Sequence, residues 1–398
     1  MEGQPSRTIF TEANLYTLVA LLYFLRDDLL PTGNIIKWAS WGAFFALSIF
    51  YFFKVVTKEQ MNPFVKSLSF IVLLVAVYGG VFFITGTDGG WLRPADPLFF
   101  LTSFFESLLP VYAFYYFSKK NLINETWFKV AAIVFFAAAI YTYFSHLMDI
   151  QIEYGDEERT NNSAYGIVSL IPLLVFFRKR PIVQFLGLGV IAILVLSGFK
   201  RGAILITGLS AIIFFWRAYK QQTSFKKLWV LILIIIVCIV AIRYIGNLLE
   251  NSLYFNARIE RTLEGDASLR EDIYVDYFHF YFENSNIIQY LIGYGAYGTC
   301  HYLGLMAHND WLELLIDMGL LGFFAYLIYW IRYYKMYRES KRYDIMHISD
   351  TLLLFGLIYF LKSFFSMSIM GLPIYATSVL GYAMAKFDDV KCYGTYND

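Results

Sequence analysis

What most constrains this chain is a near-unbroken succession of apolar runs, each close to the length a helix needs to cross the hydrocarbon core of a bilayer. About twelve such runs can be read, at 10–29, 35–56, 64–86, 97–117, 128–147, 163–177, 181–199, 202–219, 228–246, 312–332, 349–368 and 370–387. Of the 398 residues, 58% are hydrophobic and only 16% charged, too little polar surface for a water-soluble domain of that size. The expected fold class is therefore an all-α polytopic membrane protein. Met1 to Arg7 lack a cleavable-signal pattern, so the first run is expected to be a retained span.

In such a chain the formal net charge of +1 says little, and the location of the charges says more. Lys54/Lys58/Lys66, Lys119/Lys120/Lys129, Arg178/Lys179/Arg180, Arg217/Lys220/Lys226/Lys227 and Arg332/Lys335/Arg338/Lys341/Arg342 fall in every second connection. The positive-inside rule then puts both termini in the cytoplasm. No basic domain supports nucleic-acid binding. The longest polar insertion, 247–311, falls on the opposite, external side and is rich in Tyr, Phe and Gly with helix-like patterning, which predicts a folded cap. The expected organisation is spans one to nine in 1–246, the external cap in 247–311, and spans ten to twelve with a cytoplasmic tail in 312–398.

The stretch Ala307-His308-Asn309-Asp310-Trp311 to Gly322 joins a His-Asn pair to the start of an apolar helix carrying two glycines. Read as one helix, it places His308, Leu312, Leu315, Gly319 and Gly322 on one stripe, with glycines that let a neighbouring helix approach. His308 and Gly319 would lie roughly 16 Å apart, the glycines in the membrane and the imidazole near its surface. Imidazole, with an ordinary pKa near 6.5, is the side chain suited to take a proton from a hydroxyl near neutral pH, and burial would keep it neutral. Lys200 and Arg201 stand at the external end of a span, where the positive-inside rule would not have put them. A guanidinium there has the planar fork that grips a diphosphate.

The pattern His-Asn, nine residues, Gly, two residues, Gly resembles the signature of the O-antigen ligase and polymerase superfamily of bacterial membrane glycosyltransferases. Phe199-Lys200-Arg201-Gly202-Ala203-Ile204-Leu205 is similar to that family's Arg-three-residues-Leu segment. Ser268-Leu269-Arg270, upstream of Gly293, Gly295 and Gly298, resembles its third landmark. The resemblance covers roughly residues 195 to 335. It implies a GT-C-like glycosyltransferase with no metal or other cofactor, taking glycan from an undecaprenyl-pyrophosphate-linked donor at the periplasmic face of the inner membrane. The acceptor is a second lipid-linked glycan in a polymerase, or lipid A-core in a ligase. Phe323 occupies the position after the last glycine, where enteric ligases often carry a hydroxylated residue, and the cap is large and aromatic. Both features favour a polymerase of O-antigen or capsular polysaccharide.

The expected catalytic set is His308 as base with Arg201 and Arg270 holding the departing pyrophosphate, and inversion at the anomeric carbon. Asn309, Lys200, Arg258, Tyr274 and Tyr277 are the expected substrate-binding residues, the tyrosines as part of an aromatic strip on the helix 268–283. Glu106, inside the fourth run, is an intramembrane carboxylate and a suspect on that ground. Gly293-Tyr294-Gly295-Ala296-Tyr297-Gly298 matches a dinucleotide fingerprint only as text, because no strand precedes it. Its glycines are expected to bend the chain or admit substrate. A lipid-linked oligosaccharide flippase would place charges along the bundle midplane in two related halves. Partnership with a chain-length regulator has no sequence signal of its own.

Overall fold

The computed structural model describes residues 11–31, 33–86, 96–154, 159–220, 224–263, 270–343 and 346–393. Side chains at 154, 218, 224–226, 258, 261–263, 270, 271, 346, 392 and 393 fall outside that description. Four helices come first: α1 (Glu12–Leu29), α2 (Ile35–Lys58), α3 (Pro63–Thr85) and α4 (Pro97–Lys119). Their starts are written in the sequence. Thr11, Asn34, Asn62 and Asp96 each accept a first-turn backbone N–H, and Pro63 and Pro97 occupy first-turn positions where no N–H is needed. Next come α5 (Glu125–Tyr154), α6 (Ala164–Val168), a 3-10 helix at Ile171–Phe177, α7 (Pro181–Ser197), α8 (Arg201–Lys220) and α9 (Ser224–Asn251). A helical insertion follows, with α10 (Leu253–Leu263), α11 (Arg270–Asn284), α12 (Ile287–Ile292) and α13 (Gly298–Leu303). The chain ends with α14 (Asp310–Arg342), α15 (Met346–Phe365) and α16 (Ile374–Tyr393).

The described residues contain no strand, and seven of their helices are long and apolar enough to cross a membrane: α2, α3, α4, α5, α9, α14 and α15. The protein is thus an all-helical, multi-pass membrane protein. The sixth expected span is instead a short α turn followed by a 3-10 helix, with Pro172 in its first turn. A second difference falls in the tenth. α14 is two helices joined at Gly319, whose φ of 62° and ψ of −158° are not helical.

α4 and α16 form the centre, in contact close enough that a Cβ on Gly381 would lie 2.7 Å from the Val111 carbonyl. Asp388 of α16 accepts from Tyr115 at 2.6 Å and from Asn62 at 2.7 Å, tying α16 to α4 and to the start of α3. By contrast α9 buries only 6% of its span, and its exposed Leu231, Ile235, Ile239 and Ile242 present the surface a lipid bilayer would cover.

The two ends of the bundle differ in chemistry. At one end the basic clusters pair with carboxylates: Arg178 with Glu125 at 3.2 Å, Arg217 with Asp350 at 3.3 Å, Lys119 with Asp389 at 3.1 Å and Lys391 with Glu339 at 3.2 Å. At the other end, where α5 carries His146, a cavity opens. Glu125 and His146 lie 21 residues apart on one helix, about 32 Å, a separation that matches the thickness of a hydrocarbon core.

Candidate functional site: a basic cavity at one end of the bundle

The cavity holds about 700 Å³. α1 supplies Tyr23, Arg26 and Asp27, α4 supplies Glu106, α5 supplies His146, and the loop before α8 supplies Lys200. The loop before α14 supplies His308, and α15 with the loop after it supplies Lys362 and Gly371. Three basic side chains, Arg26, Lys200 and Lys362, therefore share the wall with two carboxylates. The carboxylates are partly committed, because Tyr23 donates to Glu106 while Asp27 pairs with Lys37 at 2.5 Å and with Arg26 at 3.3 Å.

His308 reaches the cavity through a backbone conformation its residue type rarely adopts, a φ of 51°. The loop that imposes it is held on both sides. The Tyr277 hydroxyl donates to the Leu305 carbonyl at 2.5 Å, and the Ala307 N–H donates to Glu313 at 2.7 Å. Asn309 then caps α14, its side-chain oxygen accepting from the N–H groups of Trp311 at 3.0 Å and Leu312 at 3.3 Å. Ala307, Asn309 and Asp310 are buried on either side. The burial expected at His308 is not found: the imidazole is exposed and opens on the cavity.

Behind the loop lies a carboxylate brace. Asp310, fully buried, accepts from the backbone N–H of Ser368 at 2.9 Å and of Ile369 at 3.2 Å, from the Tyr326 hydroxyl at 2.7 Å, and from the Ser368 hydroxyl. It fastens the loop between α15 and α16 to the head of α14. Glu313 accepts from Thr299 at 2.6 Å as well as from Ala307, and Asp317 accepts from the N–H of Tyr297 at 3.2 Å. The break at Gly319 completes the frame. It releases the carbonyls of Ile316 and Asp317, which accept from Tyr294 at 2.8 Å and Gly295 at 2.9 Å. Gly293 therefore admits α14 backbone, Gly295 turns the chain at a φ of 97°, and Gly319 is approached by the chain at Ile292–Gly293 rather than forming a stripe on a continuous helix.

Lys200 is positioned by the polar run Asn161-Asn162-Ser163. Asn161 donates from its backbone to Gly198 at 2.9 Å and from its side chain to Tyr143 at 2.9 Å. Fixed in that way between α5 and α7, the run lets Asn162 accept from Lys200 at 2.6 Å. Phe199, immediately before, also has a positive φ, 51°, and packs against Tyr254 and Phe255. Arg201 is the first residue of α8, half-buried and one residue from the cavity wall rather than in it. Gly202 beside it leaves room for the Tyr165 hydroxyl, which stands where a Cβ would be.

The structure thus brings His308 and Lys200 into one cavity and sets Arg201 at its edge. Asn309 is a helix cap. Tyr277 faces inward, its hydroxyl pushed well above the ordinary phenol range by burial, so it stays a donor to Leu305. Tyr274 donates to the Phe364 carbonyl at 3.0 Å and so docks α11 on the end of α15. The strip expected to face sugars is in these two residues the inner, packed side of α11. Arg270 and Arg258 lie in α11 and α10, with side chains outside the described residues, as are Ser268 and Leu269 entirely. Glu106 does line the cavity. Arg26, His146 and Lys362 were not expected there. A lysine within the apolar run 349–368 is the one of these that the rarity of intramembrane charge singles out. No protein-family model matches the chain, and no curated protein is detectably similar to it.

Proposed function

We propose that the protein is a glycosyltransferase that polymerises O-antigen or capsular repeat units, moving glycan from a polyprenyl-diphosphate-linked donor to a sugar hydroxyl of a lipid-linked acceptor. The observation that supports this reading is His308, held in a left-handed conformation by a braced loop and open to the same cavity as Lys200. A non-glycine residue kept at positive φ costs about 1 kcal/mol or more, a cost that persists where a side chain has to be presented. Among the described residues, four outside glycine share this conformation. Phe199 and His308 lie in two of the three segments that carry the family resemblance, and Tyr297 lies in the glycine run between them.

In this reading His308 takes the proton from the acceptor hydroxyl as its oxygen attacks the anomeric carbon. The bond from that carbon to the diphosphate oxygen breaks with the electron pair leaving on the diphosphate, whose charge Lys200 and Arg201 stabilise. A single displacement inverts the anomer. The cavity end of the bundle is then the periplasmic end, and the paired basic clusters mark the cytoplasmic one. Twelve spans result when α1, α7, α8, α16 and the 164–177 segment are added to the seven long apolar helices, and the 253–303 insertion becomes the periplasmic cap. The glycan profile of a deletion strain tests the reading. Single-repeat glycan, restored to long chains by the wild type but not by His308→Ala, is expected. Accumulated lipid-linked polymer identifies a ligase instead, and unchanged long chains refute both.

A further inference from the structure

Lys362 is a buried cation that the reaction just described does not use. It lies in the last turn of α15 with 5% of its surface exposed, and it lines the cavity that holds His308 and Lys200. Its ammonium donates to the Gly371 carbonyl at 3.0 Å and stands 5.6 Å from the Tyr165 ring and 5.9 Å from the Tyr359 ring. Gly371 is itself shaped around it, because a Cβ there would lie 2.7 Å from the nitrogen. Among the described residues no carboxylate comes within ion-pair distance of the ammonium: Asp310 attracts it only from beyond contact, its oxygens already accepting from Tyr326, Ser368 and Ile369. An ammonium has three N–H donors, and among the described residues one is used.

Burying a cation without a paired anion is costly, and two aromatic faces near 6 Å offset little of it. We infer that Lys362 is an anion-binding residue of this cavity and that, on the reading proposed above, it holds the diphosphate of the donor together with Lys200. Arg26, on the same wall, is paired with Asp27 at 3.3 Å. The competing role is a structural peg that secures Gly371 and the loop after α15.

The two roles are separated by thermal unfolding of the purified full-length protein in nanodiscs, titrated with inorganic pyrophosphate, for wild type, Lys362→Met and His308→Ala. Lys362→Met is expected to unfold at the wild-type temperature or above it, since it removes an uncompensated buried charge, and to bind pyrophosphate about tenfold to a hundredfold more weakly. His308→Ala is expected to keep wild-type binding. Lys362→Met that unfolds several degrees lower while binding pyrophosphate normally would make the residue a peg and overturn the inference. A stabilising shift with glucuronate but none with pyrophosphate would overturn the diphosphate assignment. If Lys362→Met binds normally while His308→Ala still abolishes glycan transfer, this inference alone fails. If pyrophosphate binding depends on Lys362 and no transfer is ever observed, the proposed activity alone fails.

Discussion

Within ten residues at the head of α14, polar side chains of similar type do opposite work. His308 is exposed and faces the cavity, whereas Asn309, Asp310, Glu313 and Asp317 are buried and have their hydrogen bonds met by the protein. The first is held out and the others hold it. Polarity in a membrane protein thus marks either chemistry or scaffolding, and burial and place tell them apart: the scaffolding carboxylates are buried among donors, while His308 is exposed on the cavity wall.

That contrast can be broken by substitution. Asp310→Ala leaves two backbone N–H groups and two hydroxyls without their acceptor inside the bundle, and is expected to destabilise the fold by about 3 kcal/mol. Denaturation in detergent measures it, and a change below 1 kcal/mol would remove Asp310 from the brace. Gly319→Ala comes next. Its Cβ would meet the Gly293 nitrogen at 2.5 Å and the Ile292 nitrogen at 2.7 Å, on a φ of 62°, so a loss of about 2 kcal/mol is expected in the same assay. An unchanged stability would mean that α14 runs straight through. Asn309→Ala has the smallest effect, about 1 kcal/mol for a lost cap, and Asn309→Asp should restore it. Should Asn309→Asp instead abolish glycan transfer while keeping full stability, Asn309 would belong with His308 on the substrate side.

The helices were legible because each needs a long apolar run, and the start of α14 because a His-Asn pair precedes one. The break at Gly319 was not, since two glycines three residues apart are written identically whether they pack a continuous helix or open it. Its partner carried the missing information: Tyr294 and Gly295, in a glycine run read as a bend or a substrate entry, are where the released carbonyls find donors. Tyr277 was misplaced for a related reason. Helical periodicity grouped it with Tyr274 and Tyr281 but left undetermined which side of α11 faces the protein. Lys200 was legible as a cation on the wrong side of the charge bias. Lys362 escaped because its own run is apolar enough to read as an uninterrupted span, although a lone lysine within such a run is uncommon.

The most direct measurement is transfer by the purified protein in nanodiscs, supplied with a polyprenyl-diphosphate-linked oligosaccharide as both donor and acceptor, with product length and anomeric configuration read by mass spectrometry and NMR. The account predicts longer, inverted glycan from the wild type and a fall of a hundredfold or more, roughly, for His308→Ala at unchanged unfolding temperature. Wild-type turnover in the His308→Ala protein, or a product with retained configuration, would contradict it.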